Sequence, residues 1–162
     1  MKRIFLLSAL FCISLYGFSQ SIFLSAGPVP TDTPEGQPVL AYSFGVSNTG
    51  SSHVGGGSGA GKASFQDISL ALQNGNMSPE LMKSVALGSH FPEMKIKFYD
   101  GKKIFYEITI KDVIVTSFQQ ATSCGKGPCS ELTENITLSY SQIQLKDHRS
   151  DKTTTLSTSS IN

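Results

Sequence analysis

The sequence predicts a mainly β protein: an antiparallel β-barrel or sandwich with one short α-helix. Three observations carry that reading. Apolar and polar residues alternate over short stretches such as 94–98 and 104–110, the period of a half-buried strand. Glycine, serine and threonine are plentiful while charged residues make up 15% of the chain, a mix that favours strands and turns over long helices. The alternation also slips by one residue at several points, as strands do where they bulge to bend a small barrel or sandwich. The 162 residues suffice for one domain with its own core.

The elements follow in order. Lys2 and Arg3 precede the apolar run IFLLSALFCISLYGF, and small residues follow at Gly17 and Ser19. This is the layout of a secretory signal peptide, with cleavage expected after Ser19 or Gln20. The alternative is an uncleaved membrane anchor. Cys12 makes a poor lipid-attachment site, since it lies inside the apolar run behind bulky Phe11. The chain is therefore divided into a signal peptide (1–20), a barrel domain (21–148) and a polar, flexible tail (149–162). After the leader no apolar run is long enough to span a bilayer, so no stable membrane insertion is expected once it is removed.

Residues 21–27 (SIFLSAG) read as a short strand, and 28–38 as a proline-punctuated loop. In 39–47 (VLAYSFGVS), Leu40, Tyr42, Phe44 and Val46 share one face. A polar, glycine-rich stretch fills 48–61. Strand character resumes over 62–72, with a change of phase at Gln66–Asp67 that predicts a bulge. One helix is expected after that. Ser78 is placed as its N-cap, Pro79 and Glu80 in its first turn, Leu81, Met82, Val85 and Ala86 on its apolar face, and Gly88 at its stop. Met94, Ile96 and Phe98 then alternate up to Asp100-Gly101, a hairpin signal. Ile104 to Ile110 alternate beyond it, the phase slips at Lys111–Asp112, and Val113 and Val115 continue. Ile136, Leu138 and Tyr140 give way to Ile143 and Leu145 with another slip.

The stretch GGGSGAGKAS (55–64) approaches a phosphate-binding loop, G-x-x-x-x-G-K-[ST], but Ala63 stands where a magnesium-binding hydroxyl is needed. A strand, not a helix, follows Lys62, so no row of helix-terminal amides faces a phosphate. The plain reading is a flexible hairpin loop, but loops of this length in a compact domain are often functional or dock on a partner, and glycine lets another backbone come close. With the leader removed, two cysteines remain, Cys124 and Cys129 in SCGKGPC. An even count in an exported chain points to a disulfide; two free thiols are the alternative. The spacing also invites a metal reading, but a structural zinc site needs further ligands that His53, His90 and His148, far apart in sequence, do not supply. Net charge is +1 with no basic cluster, which argues against a nucleic-acid partner. No paired-carboxylate or Ser/His/Asp set stands out, so neither a catalytic site nor a cofactor is expected.

Several motifs in a fixed order resemble the Hcp family, the haemolysin-coregulated proteins that form the inner tube of type VI secretion systems. They are IFLSAGPVPTD, VLAYSFGVSNTGSSHVGGGSGAGKASFQDISL, SPELMKSVALGSHFP, ITIKDVIVTSFQ and LTENITLSYSQIQL, spread over about 21–148. The resemblance implies an antiparallel two-sheet β-barrel with one short α-helix, and hexameric rings that stack into a tube, with a surrounding sheath, a spike protein and small lumenal effectors as partners. It implies neither catalysis nor a cofactor. The family's long loop reaches a neighbouring protomer or ring. By residue match it is 48–62 here, with Asn48, Gly50, His53, Val54, Gly55, Gly56, Gly57, Gly59, Gly61 and Lys62 at a protomer interface. Two features depart from the family pattern: the leader and the cysteine pair. Both suit an oxidising compartment. The expected function is thus a ring- or tube-forming subunit of a type VI-like apparatus, secreted or periplasmic. The alternatives are an exported Hcp-fold binding module or effector outside the cytoplasm, and a cytoplasmic subunit awaiting type VI secretion.

Overall fold

The computed structural model describes residues 20–27, 35–48, 63–122, 124 and 128–158. Almost all of the expected leader, most of the loop that follows the first strand and most of the glycine-rich loop lie outside them.

Among the described residues the chain runs β1 (Gln20–Ala26), β2 (Gln37–Ser43), β3 (Val46–Asn48), β4 (Ala63–Phe65), β5 (Ile68–Gln73), α1 (Ser78–Leu87), β6 (His90–Asp100), β7 (Lys103–Ala121), β8 (Thr133–Ser139), β9 (Gln142–Asp147) and β10 (Lys152–Ser157). Six strands close a barrel in the order β7-β6-β1-β2-β5-β8, and β8 pairs back onto β7. Every pairing is antiparallel. The closure depends on β7, whose 19 residues serve two neighbours along one edge. Its first part pairs with β9 from Tyr106 to Lys111, and its second with β8 from Ile114 to Ala121. Strand β10 then extends the sheet beyond β9. Strands β3 and β4 form a separate two-stranded ribbon.

The phase slips expected from the sequence mark the bends. Asp112 takes the left-handed conformation at φ 51°, which puts both Lys111 and Asp112 outside and returns Val113 to the interior. Ser141, in the break between β8 and β9, holds that bulge: its N–H donates to the Lys111 carbonyl (3.1 Å) and its Oγ to Asp112 Oδ2 (2.7 Å). Gln66 and Asp67 likewise separate β4 from β5, and the Gln66 N–H donates to the Gly45 carbonyl (3.0 Å). The chain reverses at Asp100-Gly101, where Gly101 has φ 61°.

Leu24, Ile68, Leu72, Met94, Ile96, Ile108, Ile110, Leu138 and Ile143 fill the interior with no exposed surface. Helix α1 packs against β7 and buries Leu81 completely. Burying one such leucine contributes about 2 kcal/mol, a large share of what holds a ten-residue helix in place.

Four expectations need correction. Leu40 and Val46 are exposed, while Tyr42 and Phe44 pack on the core. A register shift between Val39 and Ala41 turns Val39 inward and Leu40 outward, which plain alternation could not foresee. Ser78 is not the N-cap of α1; Met77 holds that position, and its thioether makes no side-chain capping bond, while the Ser78 hydroxyl donates to Glu134 instead. The buried helical face consists of Ser78, Leu81 and Ser84 with Val85 partly buried, whereas Met82 and Ala86 face out. The tail expected to be loose instead carries β10, since Thr153 to Thr155 are β-branched and find the free edge of β9.

Candidate functional site

Three features stand out as sites: the ribbon that carries the glycine-rich loop, the tip of the β7–β8 hairpin, and an uncharged outer sheet face. A buried carboxylate that sequence reasoning missed underlies the second.

The ribbon pairs Val46 with Phe65, Ser47 with Ser64 and Asn48 with Ala63. All three β3 residues are exposed. Its root is fixed to the barrel by aromatic packing. Phe44 and Phe65 lie against the core, the Phe44 and Tyr140 rings are 6.4 Å apart, and Tyr140 Oη donates to the Gln66 carbonyl (3.1 Å). Burial, then the nearby Asp67 carboxylate, pushes the Tyr140 hydroxyl up to about 12, so it stays a donor at any physiological pH. Among the expected interface residues, Asn48 sits at the outer end of this ribbon. Gly50, His53, Val54, Gly55, Gly56, Gly57, Gly59, Gly61 and Lys62 lie outside the described residues.

At the hairpin tip a disulfide joins Cys124 to Cys129 across five positions of sequence. The rungs below it run from Thr122, whose Oγ1 donates to the Ser130 carbonyl (2.7 Å), to Ala121 opposite Thr133 and Gln120 opposite Glu134. Glu134 is fully buried. Its Oε1 accepts from Asn74 Nδ2 (2.7 Å) and Gln120 Nε2 (2.9 Å), and its Oε2 from Ser78 Oγ (2.8 Å) and Gln37 Nε2 (2.9 Å). All four donors are neutral. Ser78 also opens α1, so the carboxylate lies at the positive end of the helix. Burial pushes this carboxyl upward, but the bonds from Gln120, Ser78, Asn74 and Gln37 together outweigh it and hold the pKa below the ordinary glutamate value. The group ties β2, the β5–α1 turn, β7 and β8 to one point. One signal was present in the sequence: Glu134 shares the inward parity of Ile136, Leu138 and Tyr140.

The outer face of β2, β5, β8 and the second half of β7 carries two cross-strand rows. Ser43, Ser69, Thr137 and Ser117 form one, and Ala41, Ala71, Asn135 and Gln119 the next. They floor an open depression of about 450 Å³ with no charged residue in its lining. Small side chains and neutral hydrogen-bonding groups give a surface that attracts no particular charge. Among the described residues there is no cluster of acidic, histidine or cysteine side chains that could hold a metal ion, and no helix long and apolar enough to cross a membrane.

Comparison with known proteins matches residues 30–146 to the family described as type VI secretion system effector, Hcp. Protein hcp1 of Pseudomonas aeruginosa is 37% identical over 88 residues, a match that spans 52% of this chain and 52% of that protein. A crystal structure of an Hcp protein superposes with a TM-score of 0.69 at 11% identity, covering 86% of this chain and 98% of its own. The structure of Hcp1 from Salmonella typhimurium gives a TM-score of 0.65 at 22% identity, covering 85% and 92%. At those identities the two structures establish a shared fold.

Proposed function

Because the chain belongs to the Hcp family of type VI secretion proteins, a structural family and not an enzyme family, we propose that it is a ring- and tube-forming subunit of a type VI secretion-like apparatus. The observation that carries this reading is the β3–β4 ribbon. It is anchored by Phe44, Phe65 and Tyr140, presents an exposed strand β3 paired with β4, and leads into the glycine-rich loop that in this reading docks on a neighbouring copy. The neutral rows on the outer face of β2, β5, β8 and β7 suit a channel wall, since passing effectors of varied charge would meet no fixed charge there. A sheath and a spike protein complete the proposed partner set.

The disulfide favours one refinement. The bond between Cys124 and Cys129 persists where thiols are not continually reduced, and the leader-like N-terminus points to the same compartment. The refined reading is a subunit, or a ring-forming binding module, that works in the periplasm or outside the cell. Shortening residues 50–59 tests the assembly reading. Rings should fall to monomers that keep the β-type circular dichroism of the intact protein. A shortened variant that still forms rings would sink it. Intact-mass measurement of native material, alkylated with and without reductant, tests the refinement. A chain beginning near Gln20 or Ser21 with no free thiol supports it, and a chain retaining Met1 with alkylatable Cys124 and Cys129 refutes it.

A further inference from the structure

We propose that Asn74–Gly75 is a site of spontaneous deamidation that the Glu134 cluster restrains, and that its conversion unlocks the start of α1. Of the asparagines in the chain, Asn74 is the one followed by glycine. Glycine has no side chain to hinder attack by its own backbone nitrogen, so this dipeptide is the most open to ring closure. Asn74 is exposed, so water and base reach it.

The reaction needs two freedoms, and the fold withholds both. The Gly75 nitrogen must lose its proton and attack Asn74 Cγ, yet its N–H is held by Ser78 Oγ at 3.0 Å. The side-chain amide must swing toward that nitrogen, yet Asn74 Nδ2 is pinned on Glu134 Oε1 at 2.7 Å and also reaches Ser78 Oγ at 3.3 Å. The backbone on either side is fixed as well: the Asn74 N–H donates to the Leu132 carbonyl (3.1 Å) and the Ser78 N–H to the Gly75 carbonyl (3.2 Å).

When the cluster opens, the Gly75 nitrogen bonds to Asn74 Cγ, the Cγ–Nδ2 bond breaks, and the amide nitrogen leaves as ammonia. One water then opens the resulting succinimide at either carbonyl and leaves aspartate or isoaspartate. One water enters and one ammonia departs, with no change of oxidation state. The product cannot re-form the cluster. A carboxylate now stands where Asn74 Nδ2 donated, beside the buried and ionised Glu134, and two like charges at hydrogen-bond distance repel. Ser78, the first residue of α1, loses its contact with Asn74, and Glu134, which anchors Ser78 to β8, loses a donor; ammonia departs, so the conversion runs one way.

The test follows deamidation by peptide mass mapping of the mature chain from Gln20 during incubation at mildly alkaline pH. Conversion should be found at Asn74 ahead of Asn48, Asn76 and Asn135, and should run more than about ten-fold faster in urea-unfolded than in folded protein, the factor that the lost hydrogen bonds supply. Ser78→Ala, shown to be folded by circular dichroism, should accelerate it about five-fold, the factor that one neutral hydrogen bond carries. Equal rates in folded and unfolded wild type overturn the proposal even if Ser78→Ala fails to fold. So does conversion at another asparagine first, or an unchanged rate in a folded Ser78→Ala protein.

Discussion

Replacing Glu134 by glutamine keeps the shape of the side chain and removes its charge. The carboxylate accepts two hydrogen bonds on each oxygen. A glutamine keeps one acceptor oxygen and turns an NH₂ toward the other two donors. The Ser78 hydroxyl can rotate to accept, but Gln37 Nε2 cannot; it loses its charged acceptor and keeps its bonds to the Gln73 carbonyl (2.9 Å) and Ser78 Oγ (3.1 Å). One bond to a charged acceptor is lost outright and the others weaken to neutral ones, which sums to a cost of about 3 kcal/mol. For a domain of this size that corresponds to a fall in Tm of about 10 °C. The pH dependence sharpens the test. The folded-state pKa of Glu134 is depressed, so its stabilisation is fully present above the ordinary glutamate value of about 4.3 and is lost as pH falls through the lower, folded value. Urea unfolding of wild type and Glu134→Gln across that range should therefore give curves that are separated at neutral pH and converge in acid. Curves that coincide at neutral pH, or stay equally separated down to strong acid, would refute the reasoning.

Other outcomes follow from the backbone and the tyrosines. Asp112→Val should cost about 3 kcal/mol, from a β-branched residue at φ 51° and loss of the Ser141 bond, whereas Asp112→Gly should cost about 1 kcal/mol, read by chemical denaturation. Gly36→Ala should lose at least about 3 kcal/mol or fail to fold, because at φ 132° its Cβ would run into the Leu24 carbonyl oxygen; soluble yield and Tm report this. Tyr42, Tyr99, Tyr106 and Tyr140 are all pushed above the ordinary tyrosine value, first by burial. Their stabilisation is complete below that value and disappears as pH rises through the folded ones, so tyrosinate absorbance should appear together with alkaline unfolding and not before it.

The barrel was legible because its information is local. Alternation at 94–98 and 104–110, the turn at Asp100-Gly101 and the slip at Lys111–Asp112 each involve neighbours in sequence. The Hcp resemblance supplied the family, which single motifs such as the glycine run could not. What escaped depended on pairings across long sequence distances. Nothing near Ser78 shows that its hydroxyl will meet Glu134, 56 positions away, and local capping preference therefore misplaced it. The outward turn of Leu40 comes from a register shift against β5, and the ordering of 152–157 from an edge that β9 offers only after folding. The uncharged outer face was equally invisible, since its rows draw residues from four strands.

Native mass spectrometry of the protein isolated from its own cells without reductant decides whether this chain forms rings, because it counts subunits and weighs each one. The account expects a closed homohexamer whose subunits begin near Gln20 and carry the Cys124–Cys129 bond. A monomer that persists at every concentration measured would contradict it.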